Sequence, residues 1–456
     1  MADLIIIGAG PAGMAAAATA ARGGAQVVLL DEQPRPGGQI YRNITRNKTE
    51  LTYLGGDYAK GMELATALDH PNISCRYGST VWRIDDGPRV TFDQNGKSSS
   101  ITAPHVLIAT GAQERPTPFP GWTLPGVMPA GAAQILMKTS DLVPRNAVLA
   151  GTGPLLYLIA SQMIDADNPP LAIVETQTTA MLLKSARHFP RAMLDRHAIF
   201  KGVAMLRKIR RAKVRRYVGA SAFHAVSDKG RLSFHFKTQG KSHSVACDLV
   251  LTHQGVVPST NLQRAAGLPM EWNPAQACWQ PQKDDEGKTP VQGLWVAGDG
   301  AGVHGADAAR AEGVIVANAI LCRLHGLRPE IAPHVNAHAL NHRFRARAIR
   351  PFLDAAYAPS PEIFSPPDGT VVCRCEEVTA GQVRQAISSG ADGLRQVKAE
   401  TRAGMGPCQG RMCGLTLTHL LSEQTGIPPD EIPALRARSP VKPVTLGALA
   451  ELEIEE

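Results

Sequence analysis

Apolar residues along this chain come in short runs separated by glycine and proline, and the runs recur as strand–turn–helix–strand units. Leu4 to Ile7 is the first run and reads as a strand. Gly8-Ala9-Gly10-Pro11-Ala12-Gly13 follows, then Met14 to Ala21, almost all alanine, then a second apolar run, Val27 to Leu30, ending on Asp31 and Glu32. The order strand, tight glycine turn, helix, strand, acid is the setting in which G-x-G-x-x-G binds a dinucleotide. Gly8 allows the turn, Gly10 lets backbone approach a pyrophosphate, and Gly13 lets helix and strand pack closely. Free N–H groups at the helix start, from Ala12 onward behind Pro11, favour phosphate. Asp31 sits where a carboxylate accepts ribose hydroxyls, with Glu32 beside it.

Gln33 to Arg42 is a Pro/Gly-rich loop directly after that acid. Gly37 and Gly38 let its backbone pass close to something flat, with Gln39 and Arg42 next in line; a plain surface turn is the alternative. Residues 43–80 read as helix then strand. Val81 to Ile84 and Arg89 to Phe92 alternate like paired strands, and Asn95-Gly96 signals a hairpin. His105 to Ala112 is another buried strand, closing on Thr110-Gly111. Five prolines between 113 and 130 mark a boundary. Asn146 to Glu175 then echoes the first unit, with Gly151-Thr152-Gly153 at the turn and Glu175 at the ribose position. It departs from the motif at Leu156, which replaces the third glycine. No arginine follows Glu175 where a 2′-phosphate needs one, so NAD or ATP fits better than NADP; a vestigial, empty domain is the competing reading.

Strands are expected over Ala220 to Ser227, Leu232 to Thr238, Ser242 to Ala246 and Asp248 to Pro258. His253 in the last reads as a packed, hydrogen-bonded histidine. Gly293 to Gly302 is an apolar strand ending in Gly298-Asp299, followed by a small-residue helix, Ala306 to Leu321. The Asp299 carboxylate can hold a ribityl chain, and the helix start can face the edge of a flavin where reduction builds negative charge. His304 lies in the same loop.

Length and charge set outer limits. The 456 residues allow two to four domains, and a net charge of +8 is too modest at this length to imply nucleic acid. Much of it sits in Arg207 to Arg216, which reads as a solvated basic helix face, with a docking patch for an acidic partner or an anionic membrane surface as the sharper alternative. Leu4 to Ala21 lacks a basic leader and is broken by Gly8, Gly10, Pro11 and Gly13, so a signal peptide or membrane span is rejected. Four of the eight cysteines are scattered (Cys75, Cys247, Cys278, Cys322), and cytoplasm is the expected compartment, with peripheral membrane association open.

The other four cysteines, Cys373, Cys375, Cys408 and Cys413, form C-x-C, thirty-two intervening residues, then C-x4-C. Three explanations compete. A zinc site usually uses C-x2-C knuckles, and two disulfides suit a cytosolic protein poorly. A [2Fe–2S] cluster takes four thiolates on two irons and tolerates varied spacing. Its surroundings suit it: Lys398, Arg402 and Arg411 offset charge, and Gly404, Gly406 and Gly410 let N–H groups reach sulfur. Cys408 follows Pro407, an expected helix start whose dipole would stabilise thiolate.

GAGPAG at 8–13, DEQPRPGGQIYR at 31–42, ATGAQERP at 109–116, PGWTLPGV at 120–127, AGTGP at 150–154, AGDGAG at 297–302, CRCEEVT at 373–379 and TRAGMGPCQGRMCG at 401–414 resemble the α-subunits of heteromeric bacterial amine and imino-acid dehydrogenases. That family spans the α-subunits of opine oxidases, of proline dehydrogenases and of hydroxyproline dehydrogenases, and the related flavin subunit of hydrogen cyanide synthase. The resemblance implies an α/β fold with two Rossmann-like, disulfide-reductase-like domains, the second inserted in the first, and a small, mainly helical [2Fe–2S] domain at the C-terminal end. The expected division is 1–117 with 246–345 for FAD, 118–245 for a second nucleotide, a linker at 346–370 and the cluster domain at 371–456. It further implies a β-subunit whose own FAD oxidises the substrate, a small third subunit in some complexes, and FMN at the subunit interface in some relatives. Cysteines 373, 375, 408 and 413 would be the cluster ligands. The residues themselves offer no acid/base pair, nucleophile or C-x-x-C dithiol near the flavin segments, so no catalytic residue is expected. Three alternatives stand beside the electron-transfer subunit: a self-contained NADH-dependent reductase, a subunit of a glycine-oxidising hydrogen cyanide synthase, and a redox-silent docking subunit.

Overall fold

The computed structural model describes residues 2–47, 52–327, 334 and 336–452. A five-stranded parallel sheet runs in the order Leu294–Val296, His105–Ile108, Leu4–Ile7, Val27–Asp31, Ile73–Tyr77. Leu4–Ile7 is its buried centre, which is why the run carries no polar position. Helix Pro11–Arg22 covers one face and packs on helix Ala306–Leu324. Small residues make that contact possible: a Cβ on Gly313 would stand 2.1 Å from the Ala12 carbonyl oxygen.

A second five-stranded parallel sheet has the order Arg215–Val218, Ala172–Glu175, Ala147–Thr152, Leu249–Gln254, Val127–Pro129. Residues 246–254, expected in the first domain, therefore belong mainly to the second sheet. The apolar run 249–251 suits either sheet, and only the pairing decides. The return crossing comes at Val256–Pro258, which pairs antiparallel with Ala112–Glu114 on the outbound crossing. Each parallel sheet has an antiparallel three-stranded companion: Ser79–Asp85, Arg89–Gln94 and Lys97–Thr102 in one case, Ser221–Asp228, Arg231–Thr238 and Lys241–Cys247 in the other. Asn95 and Gly96 both take positive φ (57° and 81°), as a tight hairpin turn requires.

Residues 346–370, expected as a linker, contain helix Arg350–Ala356, with Pro351 in the first turn where its missing N–H is harmless. Beyond them lies a small helical module. Strands Val371–Cys373 and Val378–Thr379 pair, and helices Ala380–Ser388, Leu394–Thr401 and Gly414–Thr425 enclose Val372, Val383, Val397, Leu417 and Leu420. Thr379 and Gln382 form a capping box at the first of these helices. Among the described residues no helix is long and apolar enough to cross a membrane.

Candidate functional site

The first glycine turn is fixed by three close approaches. A Cβ on Gly8 (φ +108°) would lie 2.5 Å from the Ala109 oxygen, and one on Gly13 would lie 1.8 Å from the Gly8 oxygen. The 36–38 loop folds back over the turn: Gly37 N–H donates to the Ala9 oxygen (2.9 Å), and a Cβ on Gly38 (φ +57°) would meet Gly10 Cα at 2.8 Å. A Cβ on Gly10 would meet nothing nearer than the Gly38 Cα at 3.9 Å, and Gly10 lines the space beside the turn.

That space is a cavity of about 410 Å³. Gly8, Gly10, Pro11, Ala12, Asp31, Glu32, Gly38, Gln39, Arg42, Thr110, Gly111, Gly298 and Asp299 all line it; Gly13 and His304 do not. Asp31 accepts from Ala9 N–H (2.6 Å) and Gln33 N–H (2.7 Å). Burial still raises its carboxyl above the ordinary value, against those two donors. Burial also acts to raise Glu32, but the Lys442 ammonium outweighs it and leaves that carboxyl below the ordinary value. Asp299 accepts from His304 and Gly305 N–H (2.8 Å each) through one oxygen, and burial raises it. Helix Ala306–Leu324 starts at the cavity, with Ala306 and Ala309 in the wall. Burial first, then the Arg347 guanidinium, pushes His304 down to about 4, so it stands neutral beside the site.

The second glycine turn is built differently. Gly151 is required, since a Cβ would lie 1.8 Å from the His253 oxygen. Gly153 opens helix Pro154–Asp165, but the His253 ring lies 3.4 Å from where its Cβ would stand, so imidazole covers the turn. His253 is held by Glu114 (Nδ1–Oε1 2.6 Å), as expected of a packed histidine. Glu175, expected at a ribose, is buried and fully engaged: Arg216 donates twice (2.8 and 2.9 Å) and Tyr157 once. Tyr357 packs edge-on to Tyr157 (6.1 Å), and Ser360 N–H donates to Gln254 Oε1 (3.0 Å). The segment after helix Arg350–Ala356 thus covers the carboxyl ends of this sheet, the crevice such folds use for ligands. Glu175, Gly151 and Gly153 do not form an open site as the first unit's residues do. The signal that sequence reasoning misses is long-range: an arginine 41 residues after the acid and a tyrosine 18 residues before it.

In the small module the thiols approach in two pairs, Cys373 with Cys413 and Cys375 with Cys408. The Cys413 thiol, then N–H groups of Gly404, Glu376 and Cys375, bring Cys373 down to about 5 against burial, while Cys413 is pushed well up. A Cβ on Gly406 would stand 2.2 Å from Cys375 Cβ. Cys408 is not at a helix start as expected; Gly406 and Gly410 keep residues 407–413 in turns, and Cys413 is the N-cap of Gly414–Thr425. Arg402 pairs with Glu376 (2.8 Å), and Arg411 turns to the cavity instead, lining it.

Cysteine loop and cavity share a wall. Asn261 and Gln113 both line the cavity. Asn261 Nδ2 donates to the Cys408 oxygen (3.0 Å) and Gln113 Nε2 to the Arg411 oxygen (3.0 Å). Asn261, Val441 and Lys442 lie outside the quoted motifs and are not legible as site residues in the sequence; Gln113 and Arg411 lie inside quoted motifs, but nothing local shows that they line this cavity.

Fold and site define a two-Rossmann oxidoreductase with a cluster module. Residues 2–313 match the pyridine nucleotide-disulphide oxidoreductase family, and residues 371–423 match the BFD-like [2Fe-2S] binding domain. The A subunit of opine oxidase from Agrobacterium tumefaciens (strain Ach5) is 43% identical, over 99% of this chain and 92% of that protein. Hydrogen cyanide synthase subunit HcnB of Pseudomonas aeruginosa is 31% identical, over 99% of each. Among solved structures, L-proline dehydrogenase from P. horikoshii superposes with a TM-score of 0.70 at 21% identity, over 98% of this chain and 79% of that one, a likeness of fold. The chain belongs to the pyridine nucleotide-disulphide oxidoreductase family, in the group that holds the A subunit of opine oxidase. The family implies FAD, and the C-terminal domain implies a [2Fe–2S] cluster. The residues fit both: an open glycine cradle with an acid at each end, and four thiols paired two by two, as two irons need.

Proposed function

We propose that this chain is the electron-transfer α-subunit of a heteromeric amine or imino-acid dehydrogenase of the opine, hydroxyproline or proline type. A β-subunit carrying its own FAD would oxidise the substrate, and this chain would pass the electrons on to an external acceptor. The observation that carries the reading is the shared wall, where Asn261 of the cavity bonds directly to the Cys408 backbone. FAD accepts electrons in pairs and a [2Fe–2S] cluster takes them singly, so the two together convert one to the other. What this chain's residues contribute is placement. Gly8, Gly10 and Gly38 would hold the pyrophosphate, Asp31 the ribose and Asp299 the ribityl chain, with Cys373, Cys375, Cys408 and Cys413 on the cluster. The acids at the cavity are engaged by backbone N–H groups or by Lys442, which leaves no poised acid/base pair among the described residues there. The kinship with opine oxidase and hydrogen cyanide synthase chains, both named as subunits, supports a partner. The test is amine-dependent dye reduction by the chain alone and by the complex that co-purifies with it. Activity confined to the complex is expected; amine oxidation by the isolated chain would overturn the proposal.

The second reading, an NADH-dependent reductase, has the echoed glycine turn in its favour. The covered turn at Gly153 and the sealed Glu175 weigh against it. Added NADH should leave the flavin of the purified chain oxidised, and bleaching under anaerobic conditions would favour the reductase.

A further inference from the structure

The residues after the small module do not stop at it. From Arg436 onward the chain leaves the module, crosses the cysteine loop and reaches the first domain. Gln409, next to Cys408, grips this tail on both sides: its Oε1 accepts from Arg438 N–H (2.7 Å) and its Nε2 donates to the Pro440 oxygen (2.6 Å). Val441 N–H donates to the Trp82 oxygen (3.0 Å), and its side chain is buried in the apolar cluster of Leu30, Val81 and Ile84. The Lys442 ammonium pairs with the Glu32 carboxylate. Helix Leu446–Ala450 then rests on strand Lys97–Thr102. Val441 and Lys442 line the cavity together with Asp31 and Glu32.

We propose that residues 438–442 are a strap that forms part of the dinucleotide site and closes its adenosine end. The strap is anchored at both ends, by Gln409 on the cluster loop and by Glu32 and Trp82 on the first domain. A dinucleotide seated on the glycine turn leaves past Asp31 and Glu32 only when Lys442 lets go and Val441 is withdrawn from its apolar contacts. FAD retention is therefore a joint property of the first domain and the C-terminal module, although the module carries no dinucleotide motif. The inference rests on the reading of this cavity as the FAD site.

The experiment measures the rate of FAD release from the full-length, FAD-loaded, cluster-loaded chain after dilution, by the rise in free-flavin fluorescence. Lys442→Ala removes one half-exposed ion pair, so release should quicken about two- to fivefold. A chain ending at Arg436 also loses the buried Val441 side chain and should release FAD at least about tenfold faster. Gln409→Ala should quicken release in the same direction, since it frees the other anchor, and it covers the case in which the truncated chain fails to fold. Glu32→Gln should add little on top of Lys442→Ala, because both remove the same pair. Wild type, Lys442→Ala and Gln409→Ala all releasing FAD at one rate would overturn the strap alone. A wild-type chain that takes up no FAD would overturn the cavity assignment, and the strap with it.

Discussion

His419 reports on how the cluster module is seated. Its ring lies 3.9 Å from the Phe364 ring and 5.9 Å from Trp272 of the first domain, and the Arg115 guanidinium stands 5.5 Å from the centre of that same Phe364 ring. Nε2 of His419 has no hydrogen-bond partner among the described residues. Burial first, then the Arg115 charge, pushes the imidazole down to about 4 from an ordinary 6.5. The folded protein thus holds it neutral, while the unfolded chain takes a proton as pH falls through 6.5. The stability it contributes is complete above about pH 6.5 and is lost as pH falls toward 4. By linkage the loss between pH 8 and pH 5 is about 2 kcal/mol, reduced toward about 1 by partial exposure. His419→Phe keeps an aromatic ring in the stack and removes the titration. Melting of the module, followed by the visible absorbance of the cluster between pH 8 and 5, should show the wild type losing about 1–2 kcal/mol more than the variant. Equal losses in the two proteins would refute the account of His419.

Gly38→Ala places a Cβ 2.8 Å from Gly10 Cα at a residue with φ +57°, so the loop must lift off the glycine turn. FAD affinity by equilibrium dialysis should fall at least about tenfold; unchanged affinity would remove this loop from the site. Asp31→Ala frees the Ala9 and Gln33 N–H groups along with the ribose position, and purified protein should carry less than stoichiometric FAD. Arg216→Met leaves Glu175 buried without its bidentate partner and should cost about 3–5 kcal/mol in urea denaturation of the second domain; a loss under about 1 kcal/mol would contradict the sealed geometry.

How much of this is legible in the sequence depends on distance along the chain. The first glycine turn is readable because strand, turn, helix and acid lie within thirty residues and each carries its own periodicity. Gly298-Asp299 is readable because the strand before it is apolar and the helix after it is rich in small residues. Leu249–Gln254 reads equally well into the wrong sheet because an apolar parallel strand carries no mark of its neighbours; only register with Ala147–Thr152 assigns it. Pro407 suggests a helix start at Cys408, but Gly406 and Gly410 hold that stretch in turns and the helix begins after Cys413. Glu175 sits where the pattern puts it, yet its availability depends on Arg216 and Tyr157, which no local pattern connects to it. The pairing of Lys442 with Glu32 spans 410 residues and has no motif at its lysine end.

The proposed function requires that this one chain hold a redox-active flavin and a redox-active cluster together, with Cys408 among the cluster's ligands. An anaerobic reductive titration of the FAD- and cluster-loaded protein tests it most directly, with Cys408→Ser as the reference. The wild type should take up about three electrons per chain, with flavin and cluster absorbance both bleaching, and Cys408→Ser about two, into flavin alone. Identical uptake by the two proteins, with no cluster signal lost in the variant, would contradict the claim.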